Sequence, residues 1–156
     1  MKEYEVIETT ADIGIAAPGR DLPEVFARAA AGMVSLMTDP ARIEARETVV
    51  VTATARDLAG LFAAWLTELL YLFETQDFLA KDFTVTVLQG PPLAPPEADE
   101  ASGANHSAIH LTAQIRGERI DPARHIITAG IKAVTYHQLE LRRVEGLWRA
   151  RVIFDI

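Results

Sequence analysis

The stretch DLAGLFAAWLTELLYLF, Asp57–Phe73, decides the fold. Leu58, Leu61, Phe62, Trp65, Leu66, Leu69, Leu70 and Phe73 recur at i, i+3, i+4 spacing, the period of one helical face. Asp57 stands where a helix cap belongs, its carboxylate placed to accept free backbone N–H groups. So wide an apolar stripe buries itself in a core far more often than it lines a cofactor site. Each large side chain buried this way contributes about 1.5–3 kcal/mol. The helix therefore needs a sheet beside it, and the flanking sequence supplies strands.

Immediately upstream, Thr48–Ala55 (TVVVTATA) is β-branched and reads as a strand. Downstream, Phe83–Leu88 (FTVTVL) and Ala108–Ile115 (AIHLTAQI) alternate and read as two more. Between those two lies Gly90–Ser107, with Pro91, Pro92, Pro95, Pro96 and Gly103 among small and acidic residues. That composition cannot pack a core and predicts a mobile surface loop, an insertion within one domain.

Further upstream a second helix begins at Asp21, with Glu24 three residues on at the capping-box position. Leu22, Val25, Phe26, Ala29, Met33, Val34 and Met37 continue it, and Asp39-Pro40 stops it. Two short strands precede it, Tyr4–Ile7 and Ile13–Ala17, separated by the polar corner Thr9–Asp12. Toward the C-terminus, Asp121-Pro122 is a helix start, predicting a short helix through Ile126, Ile127 and Ile131 to about Lys132. Two strands close the chain, Val134–Val144 and Leu147–Phe154, joined by a tight turn at Glu145-Gly146. The order β-β-α-β-α-β-β-α-β-β has no regular βαβ alternation. It predicts a single α+β domain over residues 1–156, a mostly antiparallel or mixed sheet covered by two long helices and one short helix.

Several chemistries are excluded. The 156 residues contain no Cys, so disulfides, thiolate metal sites and a Cys nucleophile are absent. No GxxxxGK[ST], GxGxxG, HExxH or GxSxG motif occurs. His106, His110, His125 and His137 show no ligand-pair spacing on one helix. The net charge of −7 disfavours a stand-alone binder of phosphate backbones, so any RNA role is expected to run through a protein partner. The N-terminus alternates charged and apolar residues without a signal-like run, and a cytoplasmic location is expected.

Three places could carry chemistry. Asp12, in TTADIGI, has small neighbours that would let a cation or a partner's group approach; an Asp bonding its own turn is the plainer alternative. Asp155 and the α-carboxylate of Ile156 follow an apolar strand directly, giving two anionic oxygen groups one residue apart. With Asp12 they would form an all-oxygen set suited to a hard cation such as Ca²⁺ or Mg²⁺. Third, IKAVTYH (Ile131–His137), preceded by Asp121, Pro122 and His125, would present Lys132, Tyr136 and His137 near that corner. Lys132 in a last helical turn, complementing the helix dipole, is the structural alternative.

Four segments in order resemble the archease family: TTADIGI (Thr9–Ile15), WLTELLYLFE (Trp65–Glu74), GERIDPARHIITAGIKAVTYHQLEL (Gly117–Leu141) and WRARVIFDI (Trp148–Ile156). The resemblance implies a compact fold with a divalent cation, typically Ca²⁺, held by Asp12, Asp155 and the Ile156 carboxylate. It implies a non-enzymatic role in tRNA splicing: activating the RNA ligase that joins 2′,3′-cyclic-phosphate or 3′-phosphate ends to 5′-hydroxyl ends. Such a protein helps the ligase transfer GMP from GTP to its active-site histidine, sustains many turnovers and widens the choice of nucleoside triphosphate. Two departures stand out. Thr9 occupies a position where the family usually has His, and the Gly90–Ser107 insertion is longer than expected. A metal-dependent phosphohydrolase using Asp12 and His137, or a chaperone-like protein-interaction module, remains as an alternative.

Overall fold

The computed structural model describes residues 3–8, 12–89, 108–128 and 130–156. The expected loop at 90–107 and most of the Thr9–Asp12 corner lie outside these residues. The elements run β1 (Glu5–Glu8), β2 (Ile13–Gly19), α1 (Leu22–Met37), a 3₁₀ turn (Pro40–Arg42), β3 (Glu47–Ala55), α2 (Leu58–Gln76), β4 (Phe78–Gln89), β5 (Ile109–Arg119), β6 (Ala133–Val144) and β7 (Leu147–Asp155). The strands form two antiparallel sheets, ordered β1-β2-β7-β6 and β3-β5-β4.

Both long helices start where the caps predicted. Asp21 accepts from the Glu24 amide at 2.9 Å and Asp57 from the Gly60 amide at 2.7 Å. The capping box closes one residue early, with Glu24 Oε1 accepting from the Arg20 amide at 2.8 Å.

α1 packs on β2 and β4, and α2 on β3 and β6, so each helix serves both sheets instead of covering one. That sharing explains the breadth of the α2 stripe: Leu61, Phe62, Ala63, Trp65, Leu66, Leu69 and Leu70 are all buried. Trp65 Nε1 donates to the Phe26 carbonyl at 3.0 Å, and the Phe26 and Phe62 rings lie 5.3 Å apart. α2 is long and apolar enough to cross a membrane by length and composition, but here its apolar side chains fill this core. On the small sheet, pleating sends Val49, Ile115 and Phe83 inward as one cross-strand row, and Val51, Ala113 and Val85 as the next.

Two expectations need correction. β4 begins at Phe78, five residues before the predicted start, because a bulge between Ala80 and Asp82 breaks the alternation. Asp77, at φ 53°, is the one residue joining α2 to β4.

The short helix from Asp121 to Lys132 does not form. Asp121 caps a single turn, its carbonyl accepting from the Arg124 and His125 amides. Beyond that, tertiary partners take the groups a helix would use. Thr38 Oγ1 donates to the Ile126 carbonyl at 2.8 Å, and the Thr128 amide donates to the Met37 carbonyl at 2.8 Å. The β-branched run Ile126-Ile127-Thr128 has little helical preference with which to compete.

Candidate metal corner

The four-stranded sheet converges on the predicted carboxylates. β2 pairs with β7 so that Ile13 faces Phe154, the last rung of the ladder; Asp12 is the residue before Ile13 and Asp155 the residue after Phe154. Phe154 is fully buried and Ile15 nearly so, anchoring this end of the ladder. Gly14 allows the close fit: a Cβ there would overlap the Val152 carbonyl and lie 2.7 Å from Ile153 Cδ1. On the other side of β7, Ala133 faces Asp155, and the Lys132 amide donates to the Asp155 carbonyl at 2.7 Å. The backbone oxygen of Asp155 is thus engaged, while its side chain is exposed at the sheet's end.

Asp12, Asp155 and Lys132 therefore share one corner, with Ile156, half-exposed, next in the chain. Lys132 enters β6 from an extended segment, so no helix dipole positions it. Among the described residues, no group of three His, Cys, Asp or Glu side chains gathers for a metal. Among the described residues, the carboxylate side chains at this end of the ladder are those of Asp12 and Asp155.

Tyr136 and His137 stand further along β6, roughly 10 Å or more from the Ala133–Asp155 rung at strand rise. They open a bulge the sequence did not reveal. Thr135 pairs with Ile153 but Glu140 with Arg151, so four β6 residues span Val152 alone. Gln138 sits in the bulge at φ 55°, and Arg151 Nη2 donates to its Oε1 at 2.8 Å. Leu139 turns toward the core, leaving Tyr136 70% exposed and His137 exposed. Bulges of this kind re-aim side chains beside functional sites.

A buried ionic network was also missed. Glu118, at the end of β5, is 4% exposed. It accepts from both Arg124 Nη atoms, from the Glu44 amide at 2.6 Å and from His125 Nε2 at 3.2 Å. The Arg124 guanidinium is the main force holding its carboxyl at about 2, below the ordinary 4.5. His125 Nδ1 accepts from the Asp121 amide at 2.8 Å, which leaves Nε2 to carry the ring proton toward Glu118 and the Arg42 carbonyl. This is structural: it pins the non-helical segment after β5 to the core. The charges at 118, 121 and 124 were visible in sequence, but nothing marked which one was buried. His110 lies apart on the outer face of the small sheet, its Nδ1 3.2 Å from Thr54 Oγ1.

Two antiparallel sheets sharing two helices define an α+β domain, with the Asp155 end of β7 meeting Lys132 at one corner. The chain belongs to the Archease protein family (MTH1598/TM1083), whose family model matches residues 4–156. It is 37% identical to protein archease of Methanothermobacter thermautotrophicus over 156 residues, covering all of both chains. To protein archease of Methanosarcina mazei it is 37% identical over 155 residues, covering 99% of this chain and 97% of the relative. The solution structure of Methanobacterium thermoautotrophicum protein 1598 matches at TM-score 0.76 and 34% identity, covering all of both chains. The crystal structure of a Thermotoga maritima archease, described as a possible chaperone, shares the fold at TM-score 0.54 and 17% identity, covering 100% of this chain and 98% of that one.

Proposed function

We propose that this archease is a non-catalytic, cytoplasmic activator of the RNA ligase that joins 3′-phosphate or 2′,3′-cyclic-phosphate ends to 5′-hydroxyl ends. It promotes the ligase's guanylylation, sustains multiple turnovers and widens nucleoside triphosphate use, in tRNA splicing or RNA repair. The observation that supports this reading is the β2–β7 register, whose last rung, Ile13–Phe154, is flanked by Asp12 and Asp155, with the Lys132 amide on the Asp155 carbonyl. Carboxylates on neighbouring strand ends can share a hard cation. All-oxygen donors at an exposed strand end suit a hard ion with open coordination positions. A Ca²⁺ ion there would be held by Asp12, Asp155 and the Ile156 α-carboxylate, and would supply a fixed positive charge for a triphosphate or a partner's oxygen. Lys132, Tyr136 and His137 face the ligase. The position of His137, four residues beyond the Ala133–Asp155 rung, argues against its serving as a hydrolytic base at the corner.

The test is RNA ligation by the cognate ligase at substrate excess, with GTP and divalent metal, with and without this protein. A several-fold gain in turnovers supports the activator role. No gain with an active ligase removes it, and partner rescue from aggregation without any rate effect favours the chaperone-like alternative.

A further inference from the structure

The outer face of the four-stranded sheet carries a groove of about 450 Å³. β1 is only four residues long, so β2 beyond Ala16 has no strand neighbour on that side among the described residues, and Pro18 sits where no ladder amide is needed. One cross-strand row reads Glu5, Ala16, Arg151, Glu140, and the next reads Pro18, Arg149, Arg142. Ala16, Pro18 and Leu147 form a low apolar floor, with Arg149, Arg151 and Glu140 on one side and Glu5 on the other.

Glu140 opposite Arg151 is a favourable pair, but one pairing in this arrangement is not explained by folding. Arg142 and Arg149 lie directly opposite each other, an unfavourable like-charge pair, in a chain whose net charge is −7. Arg142 has only a 3.9 Å approach to Glu140. Arg149 has no hydrogen bond or ion pair among the described residues; Arg151 donates through Nη2 to Gln138 Oε1 at 2.8 Å, while its Nε has no hydrogen-bond partner among them. Guanidinium forks fit phosphate oxygens. Glu5, two strand spacings from Arg151 or roughly 10 Å at the backbone, can accept from hydroxyl groups.

We propose that this groove binds a ribose phosphate unit, with phosphate on Arg149 and Arg151, the sugar over Ala16 and its hydroxyls toward Glu5. Its small basic area gives weak binding that fades with salt, as expected of an acidic chain. The site is separate from the carboxylate corner and does not depend on the activator role.

The test is titration of the whole protein in EDTA, which silences the metal corner. The probes are AMP, 2′-deoxy-AMP, inorganic phosphate, and fluorescent oligo(rA) and oligo(dA). AMP or oligo(rA) should bind, with the deoxy form several-fold weaker. Arg149→Gln, an exposed change that leaves the fold intact, should weaken binding about tenfold, equal to about 1.4 kcal/mol. Glu5→Gln should erase the ribo-over-deoxy preference while leaving phosphate contacts in place. Binding of AMP identifies a free nucleotide as the source, and binding of the oligomer alone identifies a strand. No binding of either, binding unchanged in Arg149→Gln, or phosphate binding as tightly as AMP overturns the proposal.

Discussion

Replacing Arg124 with Ala should be among the most damaging changes outside the hydrophobic core. It removes the main partner of Glu118, a carboxylate whose side chain is 5% exposed, and leaves that charge with Arg46 at 3.7 Å, the Glu44 amide and His125. The depression of the Glu118 carboxyl from 4.5 to about 2 corresponds to roughly 3 kcal/mol of preference for the charged form. Breaking a buried pair by deleting one partner costs about 3–5 kcal/mol, and the remaining Arg46 contact argues for the lower end, about 3 kcal/mol. Urea unfolding followed by tryptophan fluorescence should show the midpoint falling by about 1–2 M with the slope unchanged. The carboxyl's pKa is lower in the folded state. Its contribution is therefore full above the ordinary value and is lost as pH falls from about 5 to about 2. Glu118→Gln should flatten that part of the stability profile. If Arg124→Ala moved the midpoint by less than about 0.3 M, or if Glu118→Gln kept the acid limb, the network would not be the pin described above.

Other perturbations address the corner and the bulge. Gly14→Ala should splay the β2–β7 ladder, costing about 2 kcal/mol or more in unfolding measurements through backbone overlap. Asp12→Ala and Asp155→Ala should each abolish calorimetric Ca²⁺ binding. Gln138→Gly relieves a positive φ at the loss of the Arg151 bond, so stability should change by less than about 1 kcal/mol while the bulge loosens. Faster amide exchange at Tyr136 and His137 would report it.

The long helices and the strands around them were legible because their signals are local: caps at Asp21 and Asp57, apolar spacing, and alternation. The division into two sheets was not, because a helix stripe does not say how many sheets it serves. The helix predicted after Asp121 failed for a non-local reason, since Thr38 and Met37 claim its backbone groups from across the molecule. Asp12 and Asp155 were legible as residue types; that the strands carrying them pair, with Ile13 facing Phe154, came from the ladder, which only a register can give. The β6 bulge was hidden because TYHQLEL reads as an ordinary alternating strand. The arginine groove was hidden because its residues come from β6 and β7, and only pairing puts Arg142 against Arg149.

The most direct measurement is guanylylation of the ligase itself. Purified ligase is incubated with labelled GTP and divalent metal, with this protein, with its Asp12→Ala variant, or alone, and labelled ligase is counted over time. The account predicts that the wild-type protein raises the rate several-fold at substoichiometric amounts and that Asp12→Ala does not. Equal labelling in all three reactions would contradict it.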